Sequence, residues 1–129
     1  QCEKLLSDSV HFNTTILRMG GLIGADRHPV FQLSKKEFVT NPKGSINLIH
    51  LTDCINIIGS LINQIIVKNV YNCVTPYHPN RVKYYMQMAI QTGCNPPKFV
   101  DSITFDRKIL SKKLQENFNY DFRVKNLLI

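Results

Sequence analysis

The sequence predicts an α/β fold, on three observations. The run Ile46-Asn47-Leu48-Ile49-His50-Leu51 is apolar on nearly every position, as a parallel strand covered on two sides must be, and it leads straight into a helix beginning at Thr52. A β-branched stretch, Thr14 to Met19, reads as a second strand and ends in closely spaced glycines. A third run, Val70 to Val74, returns to strand composition after the helix. Strand running into helix running into strand is the repeating unit of an α/β protein.

Taken in order, Gln1 to Ser9 reads as the last turns of a helix, with Leu5 and Leu6 following Glu3 and Lys4 and no capping residue ahead of them. Gly20, Gly21 and Gly24 directly follow the Thr14–Met19 strand, where they permit close backbone approach or positive φ angles. They suit either a tight loop packed under a helix or a strand end that contacts a flat cofactor, since ligands in open α/β sheets lie beyond the carboxyl ends of the strands. The segment is not a G-x-G-x-x-G phosphate fingerprint: the order differs and no long helix follows. Arg27 beside His28 is chemically suited to hold a phosphate or carboxylate, the alternative being a plain surface loop. Val30 to Val39 is compatible with a short helix, and Asn41-Pro42-Lys43-Gly44 is a turn by composition.

The central helix has Thr52 as N-cap and Asp53 in its first turn, at the positive end of the dipole. Cys54, Ile55, Ile57, Ile58, Leu61, Ile62 and Ile65 give it a broad apolar face. His50 and Asp53 read as groups that order the strand–helix junction through hydrogen bonds, because buried polar groups need partners. After the Val70–Val74 strand, Pro79 stands where a helix can start, and Val82, Tyr85, Met86, Ala89 and Ile90 recur at helical spacing as core. Gly93 stops that helix and Pro96-Pro97 prevents its continuation. Ile103 and Phe105 suggest an extended piece, Ser111 a cap for a helix through Leu114 and Phe118, and Tyr120 to Val124 a further extended piece. Residues 1–129 are expected to form a single piece, with no linker and no repeats.

Composition narrows the classes. A hydrophobic content of 43% excludes a disordered tail, and no apolar run is long enough to span a bilayer. Cys2, Cys54, Cys73 and Cys94 form no C-x-x-C pair and, with the four histidines, show no zinc-ligand spacing, so no metal is expected. They read as reduced thiols of a cytoplasmic protein. Sixteen Lys and Arg against nine Asp and Glu give a net charge of +7, but the basic residues are dispersed. Their densest group, Arg107, Lys108, Lys112 and Lys113, reads as a solvated face rather than a nucleic-acid interface.

Together these segments resemble the carboxy-terminal half of extended short-chain dehydrogenase/reductases, the NAD(P)-dependent epimerase/dehydratase family. Thr15-Ile16-Leu17-Arg18-Met19-Gly20-Gly21-Leu22-Ile23-Gly24 resembles the family's strand-plus-glycine segment. Asn47-Leu48-Ile49-His50-Leu51-Thr52-Asp53-Cys54-Ile55 resembles its "fiHvdDva" segment, and Val70-Tyr71-Asn72-Cys73-Val74 the "vYnv" strand. His78-Pro79, the run to Gly93, Pro96-Pro97-Lys98-Phe99 and Ile109 to Phe118 are similar to the closing segments of atypical members.

The resemblance implies a Rossmann-like α/β portion of a few parallel strands with the small substrate-side helical region. It implies that the backbone of Gly20, Gly21 and Leu22 lines the nicotinamide end of NAD or NADP, and that Arg27 and His28 face a substrate pocket. The family's glycine-rich loop and catalytic Tyr-x-x-x-Lys belong upstream and have no counterpart here, since Tyr84-Tyr85 has no lysine four positions on. No residue of this chain is therefore assigned a catalytic role. The chain is expected to be the substrate-side portion of an oxidoreductase or epimerase acting on a sugar-like or nucleotide-linked small molecule. Its expected partners are an amino-terminal half and, alone, further copies of itself; no membrane partner is expected. Two departures weigh against a nucleotide-diphosphate-sugar substrate: Ser45-Ile46-Asn47 stands where such members carry an arginine, and Met19 replaces a proline. The alternatives are a non-catalytic dinucleotide-sensing or protein-binding member of the same fold, and a basic polyanion-binding module.

Overall fold

A computed structural model describes residues 2–62, 69–102 and 105–128. Among them run α1 (Cys2–Ser7), β1 (Thr15–Met19), β2 (Gly21–Ile23), α2 (Val30–Leu33), β3 (Leu48–His50), α3 (Leu51–Ile62), β4 (Asn69–Cys73), α4 (Arg81–Thr92) and α5 (Lys112–Phe118). All strand pairing is parallel. β1 pairs with β4 in the register Thr15 to Asn69 through Met19 to Cys73, and β2 pairs with β3, Gly21 opposite Leu48 and Ile23 opposite His50.

The chain passes from one sheet to the other without a turn. Gly20 N–H donates to the Cys73 carbonyl at the end of β4, and Gly21 N–H donates to the Asn47 carbonyl beside β3. Thr75 N–H then donates to Leu48 O, so β4 also continues towards β3. The glycines serve this crossing rather than a loop. Neither has a positive φ, contrary to one reading of the sequence, whereas a Cβ on Gly20 would meet Asn47 O at 3.1 Å and Leu48 C and Val74 Cγ2 at 3.2 Å. Close backbone approach is what requires glycine there.

β3 lies between two cores, which is why both of its faces are apolar. Leu48 joins Ile23, Val30, Tyr84, Tyr85, Met88 and Leu127, while Ile49 joins Ile57, Tyr71, Cys73, Leu114 and Phe122. The strand is shorter than the sequence suggests, and the helix starts one residue earlier, at Leu51. Thr52 does not cap it; its N–H donates to His50 Nδ1 at 3.1 Å, so the histidine supplies the acceptor that helix starts require.

The helix faces are narrower than expected. α3 buries Asp53, Cys54, Ile57 and Leu61, but Ile55, Ile58 and Ile62 are exposed, and Ile65 falls outside the described residues. α4 buries Tyr84, Tyr85, Met88 and Ala89, whereas Met86 and Ile90 point outward. α4 starts at Arg81 rather than at Pro79 and is capped by Asn80, its Oδ1 accepting from Lys83 N–H at 3.2 Å; Gly93 ends it at φ 69°. α2 is only four residues long, and the expected Tyr120–Val124 strand is irregular backbone. Ile103 also lies outside the described residues.

Side chains fasten the segment around 105–111 in place of a ladder. Asn47 Nδ2 donates to Arg107 O and its Oδ1 accepts from Ile109 N–H; Asn41 does the same with both backbone groups of Phe105. Ser111 stands at the N-cap position of α5, as expected, but its hydroxyl makes no cap bond there: it bonds both the N–H and the carbonyl of Val74, at 2.7 Å each.

Candidate functional site

The loop beyond the carboxyl end of β2 carries the residues singled out in the sequence. Gly24 and Arg27 close it with reciprocal backbone bonds of 2.8 and 3.3 Å, and Pro29 starts α2. Gly21, Leu22, Arg27, His28, Pro29 and Gln32 surround a cleft of about 160 Å³. Four of the five residues proposed for cofactor and substrate contact thus meet at one place. Gly20 does not reach it, being engaged at the crossing between sheets.

Arg27 and His28 differ sharply in setting. Arg27 is exposed. His28 is 3% exposed, and both ring nitrogens have partners. Its Nδ1 accepts from Val30 N–H at 3.1 Å, so the proton sits on Nε2, which donates to the Tyr84 hydroxyl at 2.9 Å. Tyr84 in turn donates to the Leu127 carbonyl at 2.9 Å. Burial lowers the His28 pKa from 6.5 to about 4 and pushes the Tyr84 phenol well above its ordinary range, so both stay neutral near pH 7. This relay fixes the backbone that carries Arg27. Sequence adjacency suggested a paired site; the alternation of the loop separates the two residues into one that faces out and one that holds the loop.

A second ordered cluster lies at the β3–α3 junction. Asp53 is fully buried, and its carboxylate accepts from Tyr120 Oη at 2.8 Å, Arg123 N–H at 2.8 Å and Val124 N–H at 3.1 Å. Desolvation, with this bond to Asp53, raises the Tyr120 pKa. Asp53 is therefore structural, as expected, but it orders a segment nearly 70 residues away rather than its own junction. Arg18 pairs with Glu3 through bonds of 2.5 to 3.2 Å, tying α1 to β1.

Among the described residues no group of His, Cys, Asp and Glu could hold a metal ion, and no helix is long and apolar enough to cross a membrane. The four cysteines are free, with Cys54 and Cys73 buried and the Cys73 thiol pushed up to about 12 by desolvation. In the densest basic group, Lys112 pairs with Glu116 at 3.6 Å and Lys113 bonds Asn69 and the Val70 carbonyl.

The fold superposes on solved structures of known enzymes. The dTDP-glucose 4,6-dehydratase DesIV of Streptomyces venezuelae, solved as a double mutant with NAD and DAU bound, superposes with a TM-score of 0.71 at 12% identity, over 96% of this chain and 43% of that one. UDP-N-acetylglucosamine 4-epimerase from Bacillus cereus superposes with a TM-score of 0.67 at 15% identity, over 95% of this chain and 46% of that one. The fold is that of the carboxy-terminal part of an extended short-chain dehydrogenase/reductase.

Such a fold is Rossmann-like, and its solved representatives include NAD-dependent epimerases and dehydratases. In sequence, the chain is 40% identical over 90 residues to Protein YeeZ of Escherichia coli K12, a match covering 68% of this chain and 32% of YeeZ. The chain therefore spans a third to a half of the length of the proteins it matches. No family model matches the sequence.

Proposed function

We propose that this chain is the substrate-side portion of an NAD(P)-dependent epimerase, dehydratase or reductase acting on a sugar-like or nucleotide-linked substrate, and that it is not catalytically competent alone. The observation that carries the reading is the cleft joining Gly21 and Leu22, which follow the carboxyl end of β1, to Arg27 in the loop after β2; open α/β sheets take their ligands beyond the carboxyl ends of their strands. Leu22 and Pro29 give it an apolar wall, with Gly21 exposed beside them; the space a Cβ would take at Gly21 is filled by Leu48 Cδ2, 2.6 Å away, so glycine there serves packing against β3. A nicotinamide dinucleotide bound with the help of an amino-terminal half would supply the hydride chemistry. Arg27, exposed at the rim, would hold an anionic group of the substrate by paired N–H donors. His28 would line the wall and keep the loop in place, its nitrogens already engaged.

The test uses the longer native polypeptide, identified by intact mass and amino-terminal sequencing. In it, Arg27→Ala raises KM for the sugar-linked substrate about tenfold or more and leaves kcat within about twofold, as loss of one charge-assisted contact requires. An unchanged KM would remove Arg27 from the site. A native polypeptide that begins at Gln1 and reduces or epimerises nothing with either dinucleotide would overturn the enzyme reading.

A further inference from the structure

A cleft of about 440 Å³ lies along the outer side of α4, its walls including Tyr77, Lys83, Tyr84, Gln87, Asn126 and Leu128. Three observations mark it. First, no Asp or Glu lines it, and among the described residues the exposed Lys83 at its rim enters no ion pair. Second, the wall contains polar and aromatic groups suited to a small ligand: the Gln87 amide, a half-exposed Tyr77 ring, and Asn126, whose Oδ1 accepts from Leu128 N–H and leaves its NH2 to donate.

Third, the wall is built on a strained turn. Leu127, between the two lining residues, has φ 56° although it is branched and wholly buried. A residue of this type holds that conformation only when its surroundings impose it, and such positions concentrate at ligand clamps. Here the surroundings are the core around Tyr84 and Met88 and the hydroxyl of Tyr84 on the Leu127 carbonyl. The start of α4 contributes nothing, because the N–H groups of Arg81, Val82 and Lys83 already donate to Gly44 O, Pro42 O and Asn80 Oδ1.

We infer that this cleft binds a small oxyanion, a phosphate or carboxylate, with Lys83 as its charge partner and the amides of Gln87 and Asn126 as donors. The site stands apart from the Arg27 cleft but is joined to it. A ligand seated on Asn126 and Leu128 bears on Leu127, whose carbonyl holds Tyr84, whose hydroxyl holds His28. The inference does not rest on the proposed enzymatic reading.

The test is amide chemical-shift titration of the isotope-labelled chain at constant ionic strength, with inorganic phosphate in one arm and benzoate in the other. Saturable shifts at Lys83, Gln87 and Asn126 are expected in at least one arm, with smaller linked shifts at Leu127 and His28. Saturation by phosphate alone assigns a phosphate ligand, by benzoate alone a carboxylate, and by both the shared oxyanion chemistry. Lys83→Met is expected to weaken binding about tenfold, while Lys112→Met, at a lysine equally exposed but outside the cleft, leaves it unchanged. Absence of saturable shifts at these residues in both arms overturns the site, and so does a titration that Lys83→Met leaves intact. Neither result touches Arg27, so the reading of the first cleft would survive either.

Discussion

Acid should loosen this fold through His28. The imidazole is neutral because Nδ1 must accept from Val30 N–H; protonation would set two donors against each other in a site almost closed to water. Its native pKa of about 4 lies below the ordinary 6.5, so between those values the unfolded chain binds more protons than the native one. Stability contributed by His28 is therefore complete above about pH 6.5 and is lost as pH falls towards 4. The interval corresponds to about 3 kcal/mol in total, of which about 2 kcal/mol is gone by pH 5. Glu3 and Asp106 also have lowered values, from 4.5 and 3.8, and give up their share only at lower pH. Urea unfolding from pH 7.5 to 5 should show the midpoint fall with little change in slope. His28→Gln, which retains a side chain able to hydrogen-bond but cannot titrate, should be less stable at pH 7 and nearly flat across the same range. An equally steep pH dependence in His28→Gln, or a His28 titration midpoint near 6.5 by NMR, would refute the reasoning.

Other substitutions test the rest of the framework. Asp53→Ala strands the Tyr120 hydroxyl and the N–H groups of Arg123 and Val124; a loss of about 3 kcal/mol or more is expected, with amide exchange at 120–124 accelerating ahead of the sheet. Gly20→Ala forces a Cβ against the Asn47 and Leu48 backbone and should cost about 1–3 kcal/mol, whereas Gly59→Ala in α3, with nothing within 4 Å of its new Cβ, should stabilise by about 0.5–1 kcal/mol in the same melts. The exposed Ile55, Ile58 and Ile62 stripe on α3 should drive concentration-dependent self-association, which the Ile55→Lys, Ile62→Lys double variant reduces in sedimentation velocity; a monodisperse parent chain would count against it.

What could be read from the sequence was whatever local spacing encodes. β3 was legible because each face packs a different core, so that both Leu48 and Ile49 had to be apolar; α4 ended where Gly93 and the prolines said it must. Helix faces were read too broadly because isoleucine at three-to-four spacing is compatible with burial without requiring it, and Ile55, Ile58 and Ile62 turn outward. The α4 cap was available to reading: Asn80, three residues before Lys83, is a preferred cap, but Pro79 beside it drew the boundary.

Arg27 and His28 were read from the sequence as a local pair, while the difference in their settings was not, because it depends on residues far along the chain. His28 is held by Tyr84, 56 residues on, and Tyr84 by Leu127, 43 further. Asp53 likewise looked like a helix-dipole partner and proved to be the acceptor for a loop 70 residues away. Nothing in the spacing around a residue announces a partner at that separation. Such long-range pairings decide which of two neighbouring polar residues is free to meet a ligand: Arg27 is available at the rim because His28 next to it is spent on the interior. The same logic explains why the relay ends on Leu127. A buried tyrosine hydroxyl must donate somewhere, and a strained turn whose carbonyl is fixed in the core gives it one acceptor in one place, which in turn holds both clefts to a common framework.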